Sequence, residues 1–141
     1  MQATVRWLDA VSFQTESGTG HSVQTDGPES AGGQNHGPRP MELLLMGMGA
    51  CASYDVVSML RKGRQDVTDC VASLDAERAD AVPAVFTKIK VKFTVTGREL
   101  KESQVKRAVS LSAEKYCSAS IMLAAAGVEI QHSYEVLETS G

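Results

Sequence analysis

The apolar and polar positions change period several times along the chain, and each change marks an element. Near the start Val5 and Trp7 alternate with Thr4 and Arg6, and Val11 and Phe13 alternate with Ser12 and Gln14. Successive side chains of a strand point to opposite faces, so a period of two predicts strands. Ser17-Gly18-Thr19-Gly20 reads as a turn and His21–Gln24 as a weak third strand, which makes residues 2–25 an antiparallel meander. Residues 26–39 hold almost nothing apolar and predict a long loop. Such loops in compact domains are often functional. In a small dimer this one could carry the N-terminal strands across to a partner.

The next stretch, Pro40–Lys62, predicts one long helix. Pro40 suits the first helical position, where its missing N–H is not needed. Glu42 falls in the first turn, where a carboxylate complements the helix dipole. Arg61, Lys62 and Gly63 form a usual C-terminal signature. The apolar residues cover most of the circumference rather than one stripe, the pattern of a buried helix. The eighteen residues Leu43–Leu60 are also borderline in length for a membrane span. Asp55, Gly47, Gly49, Ser53 and Ser58 interrupt them, and no second hydrophobic segment follows, so a central core helix is expected and no membrane partner.

Beyond the helix, Thr68, Cys70, Ala72, Leu74 and Ala76 alternate with Asp69, Ser73, Asp75 and Glu77. After a turn at Pro83, Val85, Thr87, Ile89, Val91, Phe93 and Val95 alternate with Lys88, Lys90 and Lys92. The two strands are expected to pair as a hairpin, acidic positions opposite lysines. From Glu99 to Tyr116 the period becomes helical, through Val105, Ala108, Val109, Ser112, Ala113 and Tyr116, with Cys117 at the helix end. Residues 119–126 predict a short helix closed by Gly127. Val128, Ile130, His132, Tyr134 and Val136 predict a last strand. The order is βββ-α-ββ-α-α-β, an α+β fold with mostly antiparallel sheet. One small sheet covers only one side of an all-round apolar helix, so a homodimer burying two copies of it is expected. Gly47, Gly49, Ala50, Ala52 and Ser53 would permit close packing there.

Composition narrows the class. The 141 residues suit one domain spanning 1–141. A net charge of −3, without a basic cluster, argues against a nucleic-acid partner. The N-terminus lacks a charged-then-apolar leader pattern, and Cys51, Cys70 and Cys117 do not form a secreted disulfide framework, so a cytoplasmic protein is expected. His21, His36 and His132 are scattered and no Cys-x-x-Cys occurs, which argues against a metal site; no cofactor is expected. No nucleophile elbow or phosphate-binding loop appears.

The cysteines remain. A thiolate needs a nearby cation or a helix N-terminus. Cys51 is mid-helix, so a cation would have to come from elsewhere, with Arg6, Arg39, Arg107 and Lys115 as candidates. At the end of a helix Cys117 would be the poorer attacking thiol but a plausible resolving partner. Cys70, on the apolar face of a strand, reads as structural. Core packing alone is the plain alternative for both Cys51 and Cys117.

The segments Pro40–Leu44, Gly49-Ala50-Cys51-Ala52 and Leu111–Ser118 resemble the OsmC/Ohr family, and Val56–Val67 with His132–Val136 resemble its YhfA-like branch. The likeness spans essentially the whole chain. It implies an intertwined α+β homodimer with a long central helix. It also implies a thiol peroxidase acting on small organic hydroperoxides: Cys51 attacks and becomes a sulfenic acid, Cys117 resolves it as a disulfide, and an external dithiol reduces the pair. The family's active branches carry an arginine in the N-terminal hairpin region and a glutamate directly after the proline. Here Met41 follows Pro40, and Glu42 lies nine residues before Cys51, on the opposite face of a regular helix. No arginine lies between Trp7 and Pro38, and Arg39 could substitute from the loop. The alternative to an enzyme is a dimeric redox-sensing or apolar-ligand-binding protein of the stress response.

Overall fold

The computed structural model describes residues 1–140. It comprises two compact units, Met1–Leu44 and the chain from Leu45 onward. In the first, β1 (Ala3–Asp9), β2 (Ser12–Ser17) and β3 (Ser22–Thr25) form an antiparallel meander in that order. Ser17 N–H donates to the His21 carbonyl at 2.8 Å and closes the predicted turn. Every residue of β1 is exposed, including Val5, Trp7 and Leu8.

The polar loop that follows is ordered by one buried carboxylate. Asp26 accepts backbone N–H bonds from Gly27 at 2.8 Å, Gln34 at 3.2 Å and His36 at 3.0 Å. The His36 and Gly27 bonds hold its carboxyl below the usual carboxylate range. A single 3₁₀ turn, Glu29–Ala31, sits within this loop.

The long helix α1 spans Pro40–Lys62. Its start is a capping arrangement. The Glu42 carboxylate accepts the Arg39 backbone N–H at 2.9 Å, and Leu43 N–H returns to the Arg39 carbonyl at 3.1 Å. At the other end the left-handed residue is Arg64 (φ 59°) rather than Gly63, and Gln65 N–H bonds back to the Leu60 carbonyl at 2.9 Å. The expectation of all-round burial does not hold within one chain. The buried residues, Met48, Gly49, Ala52, Val56 and Leu60, make one stripe at helical spacing. Leu44, Met46 and Tyr54 stand 53%, 57% and 74% exposed. By length and composition alone α1 could cross a membrane, with only 28% of its most apolar window buried. Asp55 within that window is nevertheless tied to other protein groups, described below.

The second unit holds a sheet in the order β4-β5-β6. β4 (Asp66–Arg78) and β5 (Phe86–Arg98) form the expected antiparallel hairpin, with Asp75 opposite Lys90 and Glu77 opposite Lys88. β6 (Glu129–Glu138) runs parallel to β5, where Lys92 reaches Glu135 at 3.2 Å. Ile89, Val91, Phe93 and Val95 face the core, as their alternation predicts. The alternation slips at the start of β5. Phe86 is buried while Val85 and Thr87 are exposed, because an extra residue bulges between the pairs Glu77–Lys88 and Arg78–Phe86. Gly49 is the point of close approach between α1 and β4: a Cβ there would lie 2.7 Å from Leu74 Cδ1. Around Gly47 a Cβ would meet nothing within 4 Å.

Between β5 and β6 lie α2 (Glu102–Leu111) and α3 (Ser118–Ala125). The helix expected through Tyr116 ends at Leu111. Residues Ser112–Tyr116 widen into a π-helical turn, whose Cys117 N–H bonds to the Ser112 carbonyl at 2.8 Å. Gly127, at φ 101°, closes α3 as expected. The architecture is thus α+β, with two three-stranded sheets and three helices among the described residues.

Candidate functional site

Ala52 and Met48 lie on the buried stripe of α1, and Cys51 and Asp55 flank that stripe, one turn apart on the same side of the helix. Cys51 and Asp55 are half-buried, whereas Cys117 and Ser112 are fully buried. The π turn brings the second segment to this side. The Ser112 hydroxyl is shared between the Asp55 carboxylate, 3.3 Å from Oδ2, and the Ala52 carbonyl at 3.4 Å. Cys117 Sγ lies 4.0 Å from the Met48 carbonyl oxygen. The reacting atoms of Cys51, Asp55 and Cys117 all fall within 4.8 Å of one another.

The widened turn also reverses the expected electrostatics of Cys117. The residue does not end a helix among unpaired carbonyls. It is the N-cap of α3, and its sulfur accepts the Ser120 backbone N–H at 3.5 Å. Ser120, itself buried, donates its hydroxyl to the Cys117 carbonyl at 3.3 Å. Burial nevertheless dominates and pushes the Cys117 thiol above its ordinary range. The Ser120 bonds pull the other way, and neighbouring Cys51 adds to the rise. Burial therefore favours the neutral form of the Cys117 thiol.

A cleft of about 530 Å³ runs between α1 and α2 and ends at the π turn. Tyr54, Met59, Ala108, Leu111 and Tyr116 supply its apolar and aromatic wall, Lys62 and Arg107 its cations, and Asp55 its acidic group. Neither Cys51 nor Cys117 lines it, whereas Asp55 both lines the cleft and lies within 4.8 Å of the two sulfurs.

The other candidates fall elsewhere. Glu42 is engaged with the Arg39 backbone rather than its guanidinium, which donates to Asn35 Oδ1 at 2.8 Å and the Gly37 carbonyl at 3.3 Å. Arg6 lies on exposed β1. Lys115 sits over the ring of Tyr116, 5.4 Å from its centroid. Cys70 is half-buried on β4 and its thiol is raised by burial. Among the described residues the scattered histidines do not join Cys51, Asp55 and Cys117, whose clustering the spacing did not show. Asp55, Ser112 and Ser120 were missed in the sequence. One signal for Asp55 was present, its spacing of four from Cys51 on a helix; for the two serines the unpredicted π turn removed it.

The family model for OsmC-like proteins matches residues 32–133. Protein YhfA of Escherichia coli (strain K12) is 50% identical over 137 residues, which cover 97% of this chain and 98% of that protein. Among solved structures, a protein from Aquifex aeolicus VF5 shares 28% identity at a TM-score of 0.85, covering 99% of this chain and 97% of that one. OsmC from Legionella pneumophila, an organic hydroperoxide resistance protein, is 16% identical at a TM-score of 0.72, with 95% of each chain covered. The last is a likeness of fold.

Proposed function

Because the chain belongs to the OsmC-like family, we propose that it is a cytoplasmic, homodimeric thiol peroxidase for organic hydroperoxides, with Cys51 attacking and Cys117 resolving. The observation that carries this reading is the convergence of two sulfurs from distant segments to within 4.8 Å. A disulfide then requires roughly 3 Å of closure or less. In the first step the Cys51 sulfur attacks the hydroperoxide oxygen. An S–O bond forms, the O–O bond breaks, and the thiol proton leaves with the alcohol. In the second, the Cys117 sulfur attacks the sulfenic sulfur. An S–S bond forms, the S–O bond breaks, and water leaves. An external dithiol then restores both thiols, and no cofactor takes part.

Arg39 and Glu42 enter in supporting roles, Glu42 fixing the backbone from which Arg39 projects. The second copy would cover the exposed apolar residues of α1 and of β1, which otherwise face water. A non-enzymatic reading, in which the pair senses oxidants while the cleft holds an apolar ligand, is favoured by the Met59, Ala108 and Leu111 wall.

The deciding experiment is turnover of tert-butyl hydroperoxide with dithiothreitol by the wild type, Cys51→Ser and Cys117→Ser, with non-reducing mass spectrometry. Turnover lost in Cys51→Ser, together with a Cys51–Cys117 disulfide in the wild type, is expected. A wild type that forms the disulfide with peroxide but does not turn over would select the sensor. Absence of both would reject the peroxidase.

A further inference from the structure

We propose that Asp55 is the proton carrier of the two thiols, taking the proton that each sulfur must lose and returning it to the leaving group. The proposal deepens the peroxidase reading and rests on it for its substrate. It begins from a difficulty in the geometry. Cys117 is fully buried, and that burial favours its neutral thiol. A neutral thiol is a poor nucleophile, so the resolving step needs a base beside it.

Asp55 meets the requirement from several sides. It follows Cys51 by one helical turn, and its carboxylate lies within 4.8 Å of both sulfurs, a span that one water or a small rotation closes. The buried Ser112 hydroxyl, on the turn that delivers Cys117, donates to Oδ2 at 3.3 Å and fixes the carboxylate on this side of α1. Among the described residues no cation stands within ion-pairing distance of Asp55; the ion pairs are Lys92–Glu135 and Arg98–Asp66. A carboxylate without a cation beside a sulfur opposes a standing thiolate, so its contribution is proton transfer rather than charge stabilisation. The groups facing Asp55 are Cys51 from α1 and Cys117 from the turn before α3; Lys62, Arg107, Tyr54 and Tyr116 share its cleft. That cleft gives the carried proton a route to solvent.

The Cys117 proton passes to Asp55 as the sulfur attacks the Cys51 sulfenic acid. The S–S bond forms, the S–O bond breaks, and Asp55 returns the proton to the leaving hydroxide as water. The same residue serves exchange with a small disulfide: the leaving thiolate takes the proton, and two electrons pass from the protein dithiol to the small disulfide.

The test uses both oxidants. Reduced protein in a chelator-containing buffer is mixed with tert-butyl hydroperoxide or with oxidised glutathione, quenched by acid, and the Cys51–Cys117 disulfide is followed by mass spectrometry from pH 6 to 9. Asp55→Asn is expected to slow disulfide formation about 100-fold at pH 7. It should also turn a shallow pH profile into one rising about tenfold per unit, as solvent hydroxide becomes the base. Asp55→Glu, which keeps the carboxylate, should recover most of the rate and the shallow profile. Added formate should partly rescue Asp55→Asn. Matching rates and profiles in wild type and Asp55→Asn would overturn the proposal. Should Asp55→Asn not fold, a steep wild-type profile that Asp55→Glu leaves unaltered would do the same. A wild type inert to peroxide but responsive to glutathione would reject the peroxidase reading and still decide the role of Asp55.

Discussion

Gly47→Ala discriminates sharply between a covered and an uncovered face of α1. Gly47 is an exposed helix-interior residue, and a Cβ built there meets nothing within 4 Å in a single chain. Replacing glycine by alanine inside a helix gains about 1 kcal/mol, because the unfolded chain loses conformational freedom and the helix does not. If the face is open to water, the variant should gain that full amount, about a fivefold larger folding constant and an unfolding midpoint raised by roughly 3 °C. If a second copy packs closely against Gly47, the methyl group is inserted between two well-packed surfaces. Overpacking typically costs about 1–3 kcal/mol per site, and a two-fold interface contains the site twice. Association would then weaken by about 2–6 kcal/mol, at least thirtyfold in the dimer dissociation constant. The helix-propensity gain does not offset this loss, since the folded monomer keeps it. Sedimentation equilibrium and urea unfolding at two protein concentrations read both quantities. Weaker association is expected. A dimer of unchanged affinity whose unfolding midpoint rises by the full increment would refute close packing of this face.

Three further outcomes follow from single residues. Asp26 has a folded pKa below its unfolded value, so its contribution is complete above about pH 4 and is lost as pH falls through the folded pKa; the difference in urea midpoint between wild type and Asp26→Asn should shrink below pH 4, and a constant difference would contradict the loop assignment. His132 Nε2 is buried without a partner and burial lowers the ring's pKa, so the unfolded chain binds a proton that the folded chain refuses. Stability should therefore fall as pH drops below about 6.5, and His132→Leu should remove that slope in calorimetry. A Cβ at Gly97 would collide with the Asp66 carbonyl oxygen, which pairing within the sheet holds in place, so Gly97→Ala should lose about 1–3 kcal/mol in urea unfolding.

The parts of the fold legible in the sequence are those where one period runs undisturbed. Ile89, Val91, Phe93 and Val95 alternate cleanly because β5 is central and pairs on both sides, so their inward phase and the lysine phase opposite are fixed together. α1 was legible in extent, since Pro40, Glu42 and the basic last turn sit at its true ends. Its burial was not, because apolar residues record only that a face is to be covered and not whether the same chain covers it. The slip at Thr87 escaped because a bulge adds one residue without changing residue type.

The site failed to show for a related reason. Helical periodicity from Val105 to Tyr116 is nearly the same for an α-helix and for one that widens late, so Ser112 and Ala113 looked like further core positions. The widening has chemical consequences that the pattern could not carry. It places Ser112 on Asp55, ends the helix before Cys117, and makes that residue the cap of the next helix. A sulfur that would have faced carbonyl oxygens instead accepts the Ser120 N–H, while remaining buried enough to stay protonated. One added turn residue therefore accompanies both the approach of Cys117 to Cys51 and its place as the buried cap of α3. Shortening the turn should separate these effects: deleting Ala113, which would restore α-helical phase, is expected to abolish the Cys51–Cys117 disulfide in oxidised protein. A disulfide formed at the wild-type rate in that deletion would show that the π turn is not what brings the two sulfurs together.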